Sequence, residues 1–191
     1  MRGQFVALSA LALTFSSGVL ASPLQTRATC ADTTLAETIV QGFSPRFSAH
    51  TLDTLTGIVD KDSTLSNDWQ IQSQPFKAWT NAQSGTSAVP LFKLSWSPLT
   101  GGQDWKFVLG GATASSPPTP PSGWTLVTLN GVPVIPAWVY ATQVCGSVPL
   151  YSVANSGSSD HWYTTSLKEK SSFVAAGWAD EGVVAYVLSP A

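Results

Sequence analysis

The apolar and polar positions of the last third of the chain spell out one structural unit. Val148 to Ala154 is strand-like and ends at Asn155-Ser156-Gly157-Ser158-Ser159, a cluster of turn residues. Asp160 to Thr165 reads as a second strand, rich in aromatic and Thr residues. Ser166 then stands at an N-cap with Glu169 at the capping-box position, opening a short helix over LKEKSSFVAA. Gly177 is placed to stop that helix, and Trp178 to Leu188 returns as a strand or hairpin. The order is β-β-α-β.

The same markers recur upstream. Val148-Pro149-Leu150-Tyr151 repeats Val89-Pro90-Leu91-Phe92, and Asp160-His161-Trp162-Tyr163 answers Asp104-Trp105-Lys106-Phe107. Gly177-Trp178 matches Gly123-Trp124, Gly182-Val183 matches Gly131-Val132, and Ala185-Tyr186-Val187 matches Ala137-Trp138-Val139. His50, Trp69 and Ala78-Trp79 mark a more worn copy. The steps from first marker to Trp are 19 residues for His50 to Trp69, 19 for Trp105 to Trp124 and 17 for His161 to Trp178. Coincidental spacing in a Trp-rich chain competes with this explanation, most strongly for the first copy. In the middle copy the helix slot reads GGATASSPPTPPSG, Gly110 to Gly123, where prolines forbid a helix interior and favour an extended surface loop. Its composition suits O-linked sugar as well as it suits a bare loop. A unit this small cannot bury both faces of its strands, so three must pack together. The expected fold is mainly β with short helices: three pseudo-symmetric β-β-α-β repeats (about 34–82, 89–143 and 148–190) in one compact domain over 30–191, trefoil- or propeller-like. Trp69, Trp124 and Trp178 are expected at equivalent buried positions, as are Trp79, Trp138 and Tyr186.

The last third resembles a repeat family of secreted fungal and bacterial proteins, whose units run PLYR, DHFYTTS, GY and EGI-AYV. Pro149-Leu150-Tyr151, Asp160-His161, Tyr163 to Ser166, Gly177, Glu181-Gly182 and Ala185-Tyr186-Val187 carry the likeness. It is close over Cys145 to Pro190, weak over Val89 to Gln143, and reduced to marker positions over Thr34 to Asn81. The family has no assigned activity. The resemblance implies architecture, secretion and an accessory, carbohydrate-binding role beside peptidases or cell-wall hydrolases. Asp-His-aromatic-Tyr-Thr-Thr is intact only in the last unit, so a pocket built by that motif is expected once.

Composition narrows the picture. Charged residues are only 10% of the chain, with 43% hydrophobic, so Ser, Thr, Gly, Asn and Gln must cover the surface. A net charge of −2 gives no footprint for nucleic acid or an acidic membrane. Arg2, the apolar run Phe5 to Leu13 and Val19-Leu20-Ala21 read as a signal peptide over 1–21, with 22–29 a disordered leader and Arg27 a secondary processing point. No later apolar run is long enough to span a membrane. Cys30 and Cys145 are the only cysteines, and in an oxidising pathway they are expected to pair. Closing a loop on the order of 100 residues is worth about 4–5 kcal/mol in the chain-entropy model. Asn67, Asn81, Asn130 and Asn155 all lack the Ser or Thr that N-glycosylation requires.

Little in the chain points to catalysis. Asp160 and His161 are adjacent in a strand and point to opposite faces, and no Gly-X-Ser-X-Gly elbow occurs. His161 is expected to hydrogen-bond across its strand pair, with Asp160 capping the preceding turn. Asp180 and Glu181 read as a solvated turn rather than a glycosidase pair. No phosphate-cradling or dinucleotide motif implies a cofactor, and two His with paired cysteines offer no metal set. Sugar binding has the better case: Asp160, His161, Trp162 and Tyr163 form the candidate site, with Trp162 as stacking platform and Trp178 as core. The expectation is a secreted, monomeric, non-catalytic binding module for an extracellular or cell-wall glycan. The alternative is a structural or host-interaction protein with no small ligand.

Overall fold

A computed structural model describes residues 28–96 and 103–190. The expected signal peptide and most of the expected leader lie outside the described residues. After a single 3-10 turn at Thr33–Leu35, the described residues form twelve strands and two α-helices in chain order: β1 (Glu37–Ser44), β2 (Ala49–Thr54), α1 (Leu55–Leu65), β3 (Gln70–Ala78), β4 (Ala88–Trp96), β5 (Asp104–Leu109), β6 (Thr125–Leu126), β7 (Thr128–Leu129), β8 (Val132–Pro133), β9 (Ala137–Tyr140), β10 (Val148–Asn155), β11 (Asp160–Thr164), α2 (Leu167–Ala175) and β12 (Ala179–Val187). The structure is mainly β, with two short α-helices and open antiparallel sheets.

One sheet has the order β2-β1-β3; a second runs β11-β10-β12-β9-β4-β5, with β6 also on β4. In the first sheet the earliest strand lies in the middle, flanked by its successor and by a closing strand. The same is true of β10 between β11 and β12, and of β4 between β5 and β9. The closing strands meet at their ends through three pairings: Tyr186 with Tyr140, Trp79 with Trp138, and Lys77 with Leu188.

Local signals explain most elements. Ser166 Oγ accepts the Glu169 N–H at 3.2 Å at the start of α2, and Gly177, at φ +95°, stops it. Thr54 caps α1 in the same way through Gly57 N–H at 3.0 Å. The turn between β10 and β11 is held by Asn155, whose Oδ1 accepts Gly157 and Ser158 N–H groups. Asp160 therefore does not cap that turn, contrary to expectation. Residues 110–123 form no helix. The chain instead adds the β7–β8 hairpin beyond them, turning on Asn130 (φ +52°) and Gly131 (φ +80°), the left-handed pair a two-residue hairpin demands.

The main core draws Ile39, Leu52, Phe76, Leu91, Phe107, Leu150 and Tyr163 from all three strand sets. Helix α2 contributes no fully buried residue, and α1 only Ile58. A second cluster holds Trp79, Trp138 and Tyr140, with Tyr186 packed on it. Residues 28–36 strap this cluster: Cys30 is bonded to Cys145, Ala31 N–H donates to Tyr140 Oη at 3.0 Å, and Trp79 Nε1 donates to the Asp32 carbonyl at 2.7 Å. Trp79 and Trp138 are buried and Tyr186 is half-buried. The other expected set is uneven, because Trp69 is buried while Trp124 and Trp178 are half-buried. Among the described residues no helix is long and apolar enough to cross a membrane.

Candidate functional site

An open cleft of about 290 Å³ lies where β5 faces the β10–β11–β12 strands. Its floor is a network of charged groups around His161, which is only 4% exposed. His161 Nδ1 shares its proton with both Asp104 oxygens, at 2.8 and 3.0 Å. On the ring's other side, Nε2 lies 3.3 Å from Glu181 Oε2, close enough for ion pairing but without hydrogen-bond alignment. Glu181 in turn accepts from Lys106 Nζ at 2.5 Å and from Ser152 Oγ at 2.8 Å.

A bulge in β12 puts Glu181 there. Ser152 pairs with Gly182 while Val153 pairs with Asp180, so Glu181 is the extra residue, and Gly182 adopts φ +84°. The side chain is thereby turned toward β5 and β11, while Asp180 stays outside and pairs with Lys170 at 2.6 Å. Glu181 is thus no part of a solvated turn. The partners of His161 come from β5 and β12, not from its paired strand β10.

The electrostatics follow from this packing. Burial opposes a charge on His161, but the hydrogen bonds and charges of Asp104 and Glu181 outweigh it and raise its pKa to about 9. Burial likewise pushes Glu181 up, yet His161 and Lys106 prevail and bring it down to about 2. Both groups are therefore charged at neutral pH. The Tyr163 hydroxyl is pushed up by burial and accepts the Phe107 N–H at 3.0 Å.

Two half-exposed indoles wall the cleft. Trp124 stands edge-on to His161, with ring centroids 5.6 Å apart. Trp96 faces in from the end of β4 and backs onto Gly123, where an added Cβ would meet the indole at 3.4 Å. The rim is polar, with Asn155, Ser156 and Ser159.

Of the residues singled out from sequence, the structure brings Asp160 and His161 to the cleft and leaves Trp162 and Tyr163 out of it. Asp160 lines the cleft, but both its oxygens are bound by His50, through the backbone N–H at 2.8 Å and Nδ1 at 2.7 Å. Trp162 is 9% exposed and lies between His50 (4.9 Å, edge-on) and Phe173 (5.1 Å), the position of a packing residue rather than an open platform. Tyr163 is buried, with its hydroxyl committed to β5. Asp104, Lys106, Trp96, Trp124 and Glu181 were not foreseen as site residues. Asp104, Lys106 and Trp124 stood in the sequence only as repeat markers, and Glu181 in the Glu181-Gly182 pair, while Trp96 carried no signal.

Two other junctions carry related geometry. His50 is held like His161, by Asp160 on Nδ1 and by Gln72 Oε1 on Nε2 at 3.0 Å; Gln72 is likewise the extra residue of a bulge, in β3. There Trp162 and Phe173 fill the space over the imidazole. Between β2 and β5, Trp105 packs against Trp69 (5.2 Å) and Phe47 (5.3 Å), with buried Lys93 Nζ 4.8 Å above its ring. A further groove of about 530 Å³ runs between residues 82–88 and 112–115 over Trp138, and no ionisable side chain lines it. Among the described residues no group of three or more His, Cys, Asp or Glu is arranged to hold a metal ion.

The model of a protein family described as a domain of unknown function, DUF5648, matches residues 38–188. The chain belongs to the DUF5648 family. The match spans all twelve strands except the first residue of β1, so the cleft is built wholly within the DUF5648 domain. No curated protein and no solved structure matches the chain.

Proposed function

We propose that this DUF5648 domain is a secreted, non-catalytic glycan-binding module and that the cleft between Trp96 and Trp124 is its binding site. One observation carries the proposal: two half-exposed indoles flank a floor of pre-oriented, ion-paired polar groups in a cleft open to solvent. Indole faces provide apolar area at low entropic cost, and fixed polar groups set ligand orientation. Glu181, held near 2 by His161 and Lys106, is unsuited to the protonated-acid role that a glycosidase requires, which favours binding over hydrolysis at this carboxylate. The disulfide suits an oxidising compartment, as does the apolar N-terminal stretch.

The same proposal extends to architecture: three copies of one unit arranged about a pseudo-threefold axis. Support comes from register. Gln41, Lys93 and Ser152 each sit opposite Leu52, Phe107 and Tyr163 in the middle of their strand pairs. Strands β2, β5 and β11 contact one another in every pairing, as the innermost strands of such an arrangement would. On this view three equivalent clefts existed, of which Trp162 fills one and Trp105 with Trp69 another. The third stays open because Lys106 stands where the last copy has Trp162.

The test is retention on immobilised cell-wall polysaccharides and a glycan array, comparing the wild type with Trp124→Ala. Binding that disappears with Trp124, at unchanged secondary structure and melting temperature, supports the proposal. A folded wild-type protein that retains nothing on either surface overturns it and favours a structural or interaction role without a small ligand.

A further inference from the structure

Resting on the glycan-binding reading, we infer that the Lys106–Glu181 pair recognises a vicinal diol of an uncharged saccharide. Both side chains are roughly a quarter exposed, 24% for Lys106 and 22% for Glu181, whereas Asp104 and His161 beneath them are almost fully covered. The ligand therefore meets the ion pair, while His161 and Asp104 act as positioning residues from below.

The pair leaves specific valences open. An ammonium has three N–H donors, and Lys106 gives one to Glu181. A carboxylate has about four acceptor sites; Glu181 spends one on Lys106, one on Ser152 and faces His161 with a third direction. What remains is two donors on Lys106 beside one acceptor site on Glu181, with no net charge on the pair. A single hydroxyl can satisfy either, and two hydroxyls on adjacent ring carbons satisfy both at once: one donates to Glu181 and its neighbour accepts from Lys106.

An acidic sugar fits badly. Its carboxylate or sulfate would meet Glu181 at close range, and Lys106, already shared, offers no surplus positive charge. Nor does the floor, where the positive charge of His161 is matched by Asp104. The volume adds a second restriction. At about 290 Å³ the cleft lies at the small end of ligand sites, which suits one end of a short saccharide rather than the flank of a long chain.

The test is calorimetric or saturation-transfer titration with cellobiose, mannobiose and N,N′-diacetylchitobiose, set against digalacturonate. The wild type is run beside Lys106→Met, Glu181→Gln and Trp124→Ala. A neutral disaccharide should bind at least tenfold more tightly than digalacturonate. Lys106→Met should lose at least tenfold of that affinity at an unchanged melting temperature, even if Glu181→Gln disturbs folding. Equal or tighter binding of digalacturonate through Trp124 would overturn the diol inference and leave the glycan-binding reading standing. So would neutral binding that Lys106→Met does not weaken. If none of the four saccharides binds the folded protein, both the inference and the reading beneath it fail.

Discussion

Removing His161 should turn a nearly level alkaline stability profile into a rising one. In the folded state the imidazole sits between Asp104 and Glu181 with a pKa near 9, against 6.5 when unperturbed. Below pH 6.5 the group is protonated whether the chain is folded or not, so its ion pairing contributes fully. As pH rises through 9 the folded form loses the proton and the contribution disappears. The interval corresponds to about 3 kcal/mol. Lys93 works in the opposite direction. Burial, with repulsion from Lys61, brings it down from 10.5 to about 7, and Thr51 Oγ1 at 2.7 Å is its hydrogen-bond acceptor. Its charge is a full penalty below pH 7, and stability recovers as pH rises from there toward 10.5. The two contributions nearly cancel between pH 7 and 9, so the wild-type profile should be almost level there. In Lys93→Met the profile should fall between 6.5 and 9, and in His161→Gln it should climb from 7 onward. Neither slope can exceed about 1.4 kcal/mol per pH unit. Urea unfolding at half-unit steps from pH 6 to 10.5 reads all three profiles. A Lys93→Met protein whose stability does not decline between 6.5 and 9 would show that His161 is not held by its two carboxylates.

Trp162→Ala should cost about 3–5 kcal/mol in chemical denaturation, because the ring fills the space between His50 and Phe173, and a large buried truncation leaves a cavity. A cost below 1 kcal/mol would place that indole in solvent. Replacing Cys30 and Cys145 together with Ser should lower unfolding stability by about 2–5 kcal/mol and loosen the strap over Trp79 and Tyr140. Hydrogen exchange at Ala31 and at Ser87, whose N–H donates to the Thr29 carbonyl at 2.9 Å, reports the strap directly, and protection unchanged from the wild type would contradict its dependence on the bond. N-terminal sequencing of secreted material should begin at Ser22 or, after trimming, near Ala28. An intact Met1 on folded extracellular protein would rule out the cleavage.

The last third was legible because its signals are local. Asn155 and the glycine-serine turn, Ser166 with Glu169, and Gly177 each act within a few residues, and the elements fall where they indicate. The proline-rich segment was equally plain. Asn130-Gly131 carried a strong hairpin signal that the repeat pattern overshadowed, since the other copies have no hairpin at that place. The cleft was hidden for a different reason. Asp104 and His161 are 57 positions apart, and Lys106 and Glu181 are 75 apart, so strand packing alone brings them together. Trp124 shares its marker position with Trp69, yet one is half-exposed and the other buried, because only Trp69 has the aromatic neighbours Trp105 and Phe47 closing over it. Trp162 misled in the opposite sense: strand alternation put it on a different face from His161 but could not show that His50 and α2 cover that face.

The most direct measurement is indole nitrogen–proton NMR of the eight tryptophans during titration with the glycan that the array selects. Once the signals are assigned by single substitution, those of Trp96 and Trp124 should shift progressively with ligand. Trp79, buried under the N-terminal strap, and Trp162, packed on His50, should stay in place. Movement confined to Trp138, under the other groove, or to Trp162 would contradict the assignment of the site to the Trp96–Trp124 cleft.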